Sequence, residues 1–301
     1  MESVHTPVLL HEIVEYLTQG NKRKIFRYFD GTLGGAGHAL AIARATGGKL
    51  DLIAVDRDPI ALKRASDKLA GEAKRLIIEL ESFRHIDIVL ERNGIESVDA
   101  ILLDLGISSD ELQHSGRGFS FSKDEPLLMT MGDPDSYPFT AKSIVNGWKE
   151  DDIANVIYAY GEERFARRIA RAIVNYRDKK PIESSGELAE LVKGSVPPPY
   201  RHGKIHPATK TFQALRIAVN DELQALKDGI AKGYDKLAKH GRIAVISFHS
   251  LEDRIVKDFF REQATEHGAL ILTKKPVRAL LQELAENPRS RSAKLRVLEK
   301  K

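Results

Sequence analysis

Two hydrophobic periods alternate through the first hundred residues of this chain, and that alternation restricts its fold more than any other feature. The runs 25–30, 50–56, 76–80 and 100–104 are short, apolar and suited to strands, while 38–44, 60–69 and 83–92 carry apolar residues at helical spacing. A strand, a helix and a second strand require a right-handed crossover; repeated, that unit gives a parallel sheet with helices on both faces. The predicted class is α/β, doubly wound. The pattern stops after residue 104: 105–138 is rich in Gly, Ser, Pro and Asp, and 140–193 reads as helices without a strand. It resumes with a strand at 242–248, a helix at 251–263 and strands at 269–273 and 294–298. The expected organisation is a discontinuous α/β domain, 1–108 and 209–301, interrupted by an all-helical insertion, 109–208.

Composition excludes several chemistries. There are no cysteines, so disulfides, thiolate catalysis and Cys-type zinc sites are ruled out. His202 and His206 have the spacing of a zinc pair, but Gly203 and Pro207 disfavour the regular helix that would aim both rings at one ion, and no metal site is expected. No apolar run approaches the roughly 20 residues of a membrane helix and no basic-then-apolar leader opens the sequence, so a cytoplasmic location is expected. Lys and Arg number 47 against 43 Asp and Glu, an excess too small to imply a polyanionic partner by itself. Arg164, Arg167, Arg168 and Arg171, the stretch 201–210, and Arg289, Arg291, Lys294 and Arg296 are local basic clusters that fit either RNA contact or a solvated surface.

The first predicted strand runs into Gly31-Thr32-Leu33-Gly34-Gly35-Ala36-Gly37-His38, followed by a helix. Glycines there allow a sharp turn that brings backbone N–H groups up to a ligand at a helix N-terminus. Asp56 ends the second strand about 20 residues on, where a carboxylate can accept from both hydroxyls of a ribose. The pair of features suits a dinucleotide or S-adenosylmethionine. Leu40 stands where a dinucleotide fingerprint wants its third glycine, and no Gly-Lys-Ser/Thr clasp for ATP is present. Phe83 fits either an adenine cover or plain core, and Asp104 ends the fourth strand beside the crevice where open α/β sheets bind ligands.

Longer motifs go further. The segments His5-Thr6-Pro7-Val8-Leu9, Asp30 to His38, Val55-Asp56-Arg57-Asp58-Pro59, Leu103-Asp104-Leu105-Gly106-Ile107-Ser108-Ser109, Arg117-Gly118-Phe119-Ser120-Phe121, Gly161-Glu162-Glu163-Arg164-Phe165-Ala166, His206 to Arg216, Ser247 to Arg254 and Asn287 to Lys294 span nearly the whole chain. In this order they resemble the RsmH (MraW) family, the small-subunit ribosomal RNA cytosine N4-methyltransferases. The resemblance implies a class I methyltransferase fold with a helical insertion and S-adenosylmethionine as cofactor. It also implies cofactor contacts at Gly35, Ala36, Gly37, His38, Asp56, Phe83, Asp104 and Glu111, and 16S ribosomal RNA in the small subunit as partner.

Three departures from the family pattern stand out: Ala36 replaces a common Gly, Glu111 a common Gln, and 124–131 lacks the usual acid and arginine, with Leu128 and Thr130 in their places. An alanine at 36 suggests a negative φ there.

Methylation of an exocyclic amine needs an in-line approach and an acceptor for the amine's N–H; Asp104 is the candidate catalytic group. Candidate substrate contacts are Arg117, Phe119, Lys210, Arg216, Asn220, His249 and Ser250, with Phe121 a second aromatic able to receive a base. Each has a plainer reading: core packing for Phe119 and Phe121, salt bridges for the basic side chains, and helix capping for Ser250 with Asp253 three residues on. Thr209 is the expected cap of the helix carrying Lys210, Arg216 and Asn220. Arg164, Arg168 and Arg171 share one predicted helical face suited to phosphates. The stretch Val196-Pro197-Pro198-Pro199-Tyr200 looks like the catalytic motif of DNA amino-methyltransferases, but it lies far from the fourth strand and reads as a rigid connector. Two other functions fit parts of the pattern: a nicotinamide-dependent oxidoreductase, or an RNA-binding assembly factor without catalysis.

Overall fold

The computed structural model describes residues 7–20, 24–107, 112 and 115–301. The chain divides into two units, Met1–Gly106 with Leu223–Lys301, and Ile107–Glu222.

The first unit is built on a seven-stranded sheet of order β3-β2-β1-β4-β5-β7-β6, from β1 (Phe26–Asp30), β2 (Leu50–Asp56), β3 (Arg75–Leu80), β4 (Val98–Asp104), β5 (Leu237–Ser247), β6 (Leu270–Ile271) and β7 (Lys294–Glu299). The first five pair in parallel, and β7 and β6 complete the sheet antiparallel. Alternation along each strand sends neighbours to opposite faces. Tyr28, Leu52, Leu102 and Ile246 pack under the helices Leu10–Thr18, Gly37–Ala45 and Pro59–Leu69. Phe29, Ile53, Ile101 and Val245 pack under Ile86–Arg92, Glu222–Lys236 and Ser250–His267. The α/β, doubly wound reading therefore holds, and the reversal of strand order beside β1 and β4 places a crevice at their carboxyl ends.

Boundaries differ where local chemistry overrides periodicity. The expected helix 83–92 begins as a 3₁₀ turn, Phe83–His85, because the Ser82 side chain accepts from the Arg84 N–H and tightens the entry. β5 starts five residues earlier than its apolar run: the register shifts between Val98 and Ala100, and His240 takes φ 63°, which lets the polar Lys239-His240 pair stay within the strand. The strand expected at 269–273 is reduced to two residues.

The second unit is helical: Ala141–Gly147, Glu150–Gly161, Ala166–Arg177, Ser185–Ser195, Pro198–Arg201 and Thr209–Asn220. Its core gathers Ile144, Ile153, Ile157, Ile169, Ile173 and Leu188 with Phe212, Leu215 and Val219. Those last three place the helix Thr209–Asn220 in this unit, whereas the sequence reading assigned it to the sheet domain. The insertion thus runs to Glu222. Gly161 permits the close approach of two of its helices, since a Cβ there would lie 2.5 Å from the Lys210 carbonyl oxygen. Thr209 is not the cap of its helix; Ala208 occupies that position without a side-chain bond. Among the described residues, no helix is long and apolar enough to cross a membrane.

Candidate functional site

Four strand ends and the loop after β1 make a connected polar layer at the sheet's carboxyl edge. The Gly31 N–H bonds the Leu102 carbonyl oxygen at 2.9 Å and the Leu33 N–H that of Val55 at 3.2 Å, tying the loop across β4 and β2. Asp56 accepts from Gly34 N–H at 2.7 Å through one oxygen and from Asp58 N–H at 3.0 Å through the other. Burial still pushes the Asp56 carboxyl up, with these amides pulling against it. Ala36 caps the following helix at φ 61°, contrary to the negative value expected from its Cβ. Its methyl is fully packed into the first core cluster, so apolar burial offsets a left-handed conformation that costs an L-residue about 1–2 kcal/mol. Gly37 lies under Pro7, where a Cβ would come within 2.2 Å of the ring, and Gly35 faces open space.

Two further acids, Asp30 and Asp104, close β1 and β4 beside this loop. Asp30 is buried, accepting from the Tyr28 hydroxyl at 2.9 Å and the Thr32 N–H at 3.1 Å. Burial raises its carboxyl to about 6 despite those two bonds. Asp104 is held by its backbone, whose N–H donates to the Thr32 hydroxyl at 2.7 Å. Its Oδ1 is buried with no hydrogen-bond partner among the described residues, and its Oδ2 lies 3.8 Å from His38 Nδ1. Desolvation first, then the nearby charges of Asp30 and Glu252, raise the Asp104 carboxyl to about 8. The His38 ring is fixed from behind by a 2.9 Å bond from Nε2 to the Val8 carbonyl oxygen.

Phe83 packs edge-on into the gaps left by two glycines, since Cβ atoms at Gly31 and Gly229 would approach it within 2.8 and 2.5 Å. His249, not Ser250, caps the helix Ser250–His267: its Nδ1 accepts from the Glu252 N–H, and the Glu252 carboxylate returns to the His249 N–H. Ser250 is the first helical residue and exposed. Glu111 lies outside the described residues.

In the helical unit, several expected substrate contacts are committed to the protein. Arg216 forks onto Glu222 with two bonds of 2.9 Å, both side chains largely buried. Asn220 is buried; its oxygen accepts from Met131 N–H at 2.9 Å and its amide donates to the carbonyls of Met129 at 2.7 Å and Arg216 at 2.8 Å. That clasp holds Met129 at φ 59°. Arg117 bonds the Thr130 and Gly132 carbonyl oxygens at 2.9 and 3.3 Å, and Phe119 lies in the helical core. Phe119 is buried there. Phe121 is half-buried, stacked on His206 with centroids 4.4 Å apart. Arg164 precedes its helix instead of sharing a face with Arg168 and Arg171, and Arg171 bonds Glu150 at 3.3 Å.

Removing the Asn220 clasp strands two buried backbone groups. Asn220→Ala should lower the stability of the helical unit by roughly 2–3 kcal/mol, read from urea unfolding followed by tryptophan fluorescence; a loss under about 0.5 kcal/mol would mean that the loop finds other partners.

The family model described as the MraW methylase family matches residues 2–301. The chain belongs to the MraW methylase family. It is similar to the ribosomal RNA small subunit methyltransferase H of Heliobacterium modesticaldum, 45% identical over 314 residues that cover 98% of each chain. The enzyme of that name from Persephonella marina is 46% identical over 293 residues, covering 97% of this chain and 98% of its own. In this MraW methylase the described sheet-edge candidates lie in the sheet unit, where His249 and Ser250 follow β5, and Arg117, Phe119, Lys210, Arg216 and Asn220 belong to the helical unit. Tyr28, Asp30, Thr32 and Glu252 were not singled out in the sequence. An acid closing β1, with Tyr28 two residues earlier on the same face, was the available signal.

Proposed function

We propose that this chain transfers the methyl group of S-adenosylmethionine to the exocyclic N4 of a cytosine in 16S ribosomal RNA of the small subunit, acting in the cytoplasm. The observation that carries the reading is the buried, unpartnered Oδ1 of Asp104 beside the glycine loop of a MraW family member. An acceptor left bare at such cost asks for a ligand that brings a donor or a positive charge. S-adenosylmethionine brings both, in an ammonium and a sulfonium, and its sulfonium supplies the electrophilic methyl group.

The chain's own groups have distinct tasks. The loop amides and Asp56 hold the nucleoside end, with Phe83 beside it. Asp104 accepts a hydrogen bond from the cytosine amine, whose lone pair is otherwise delocalised into the ring, and takes the proton that the methylated amine must shed. Holding the amine in line is worth roughly 7–11 kcal/mol of barrier, so positioning carries much of the rate. Two measurements test this. Labelled methyl from S-adenosylmethionine should appear as N4-methylated cytidine in RNA from small subunits lacking the modification; no incorporation, together with calorimetric binding of NAD, would reverse the assignment. RNA affinity should also fall steeply with salt, the slope growing by about 0.7 for each phosphate contacted on a single strand, and a flat dependence would remove the RNA from the reading.

A further inference from the structure

The helical unit holds a cleft of about 380 Å³, within the range of small-molecule sites, and the activity above leaves it without a task. Arg164, Lys204 and Lys210 give it three cationic side chains, with no lining acid among the described residues; Tyr200, Pro199 and Ile205 give it apolar wall. The Pro-Pro-Pro-Tyr stretch contributes here: Pro197 caps the short helix Pro198–Arg201 and thereby sets Tyr200.

The cleft is built in advance. The Tyr200 hydroxyl donates to Glu163 Oε2 at 2.5 Å, and the other oxygen of this buried acid accepts from Phe165 N–H at 2.9 Å. Burial, followed by the Glu163 charge, raises the Tyr200 phenol to about 12, so it remains a donor. The Arg164 guanidinium lies over two rings at once, 4.7 Å from the Phe165 centroid and 5.1 Å from that of Tyr200. Lys210 is tethered through a 2.8 Å bond to the Glu162 carbonyl oxygen. Side chains ordered before a ligand arrives lose little entropy on binding it. Flat aromatic surface interleaved with cations is the chemistry that holds an unpaired base and its phosphates.

We propose that this cleft binds one unpaired nucleotide of the RNA, its base against Tyr200 and Ile205 and its phosphates on Arg164, Lys204 and Lys210. The proposal rests on the RNA methyltransferase reading and deepens it. Every lining residue comes from the helical unit, and Asp104 belongs to the other. The cleft gives the RNA a contact that selects sequence or shape.

The test measures anisotropy of a short labelled single-stranded RNA against salt, for the full chain and for Arg164→Ala/Lys204→Ala. The double variant should bind the single strand roughly ten- to a hundredfold more weakly, with a salt slope smaller by about one. It should retain calorimetric binding of S-adenosylhomocysteine and an unchanged unfolding midpoint. Arg164→Lys should recover charge but only part of the affinity, because the stacked plane is lost. Unchanged affinity in the double variant, or an equal loss for fully duplex RNA, would overturn the proposal. Failure of the unaltered chain to bind RNA or transfer methyl would instead bring down the reading beneath it.

Discussion

Asp104→Asn is expected to make the cofactor-free protein more stable at pH 8 while cutting methyl transfer by about 10²–10⁴-fold. The two effects share one cause. In the folded chain this carboxyl is raised to about 8 from its ordinary value of 3.8. Between those pH values the folded state holds a proton that the unfolded state has released. Stability from this group is therefore complete below about pH 4 and drains away as pH rises towards 8. Asp30, raised to about 6, contributes with the same sign over a lower window. Asparagine never acquires the buried charge, so the variant should lose much of this pH dependence in thermal melts. A ligand bearing an ammonium acts oppositely on the wild type: it favours the ionised carboxylate, so affinity for S-adenosylhomocysteine should rise with pH up to about 8 and be accompanied by proton release. Calorimetry in buffers of different ionisation enthalpy measures that proton directly. Near-normal turnover by the variant, or pH-independent cofactor affinity in the wild type, would remove Asp104 from its role.

Arg216→Ala should cost about 3–5 kcal/mol, because it leaves the Glu222 carboxylate buried without its guanidinium. The lone tryptophan, Trp148, packs edge-on against Phe139 in the helical unit, so its fluorescence reports this unit's unfolding. Replacing both partners, as Arg216→Met/Glu222→Leu, should restore most of the stability, since an apolar pair fills the space without stranding a charge. That double variant also separates scaffolding from substrate contact. Wild-type RNA affinity in a restored fold would confine Arg216 to architecture, whereas a large loss of affinity would return it to the substrate surface.

The sheet and its crevice were legible because their signals are local. Hydrophobic period, the glycines after β1 and acids at strand ends each act over a few residues, and Asp56 and Asp104 sit where those rules place them. Other placements depend on partners that spacing alone does not reveal. Asn220 looked like a helix-shoulder residue, but its amide reaches Met129, 91 positions away. Arg216 carried a charge that a substrate or a carboxylate would satisfy equally, and only the fold revealed Glu222. Arg164 fits a helical stripe by spacing, yet the chain bends before Ala166 and lays it over Tyr200. Ala36 shows the limit of inferring backbone from residue type: a packed methyl outweighs a conformational cost that normally selects glycine. The boundary at Glu222 was missed because amphipathic spacing tells which side of a helix is apolar, not which core receives it.

The order of the units along the chain has a consequence for how the molecule is made. β4 emerges with one edge awaiting β5, which is not translated until the entire helical unit has passed. Ile107–Glu222 is continuous and can complete its contacts as it leaves the ribosome, whereas the nascent half-sheet waits with an open edge, the moment in this protein's life when a chaperone has most to protect.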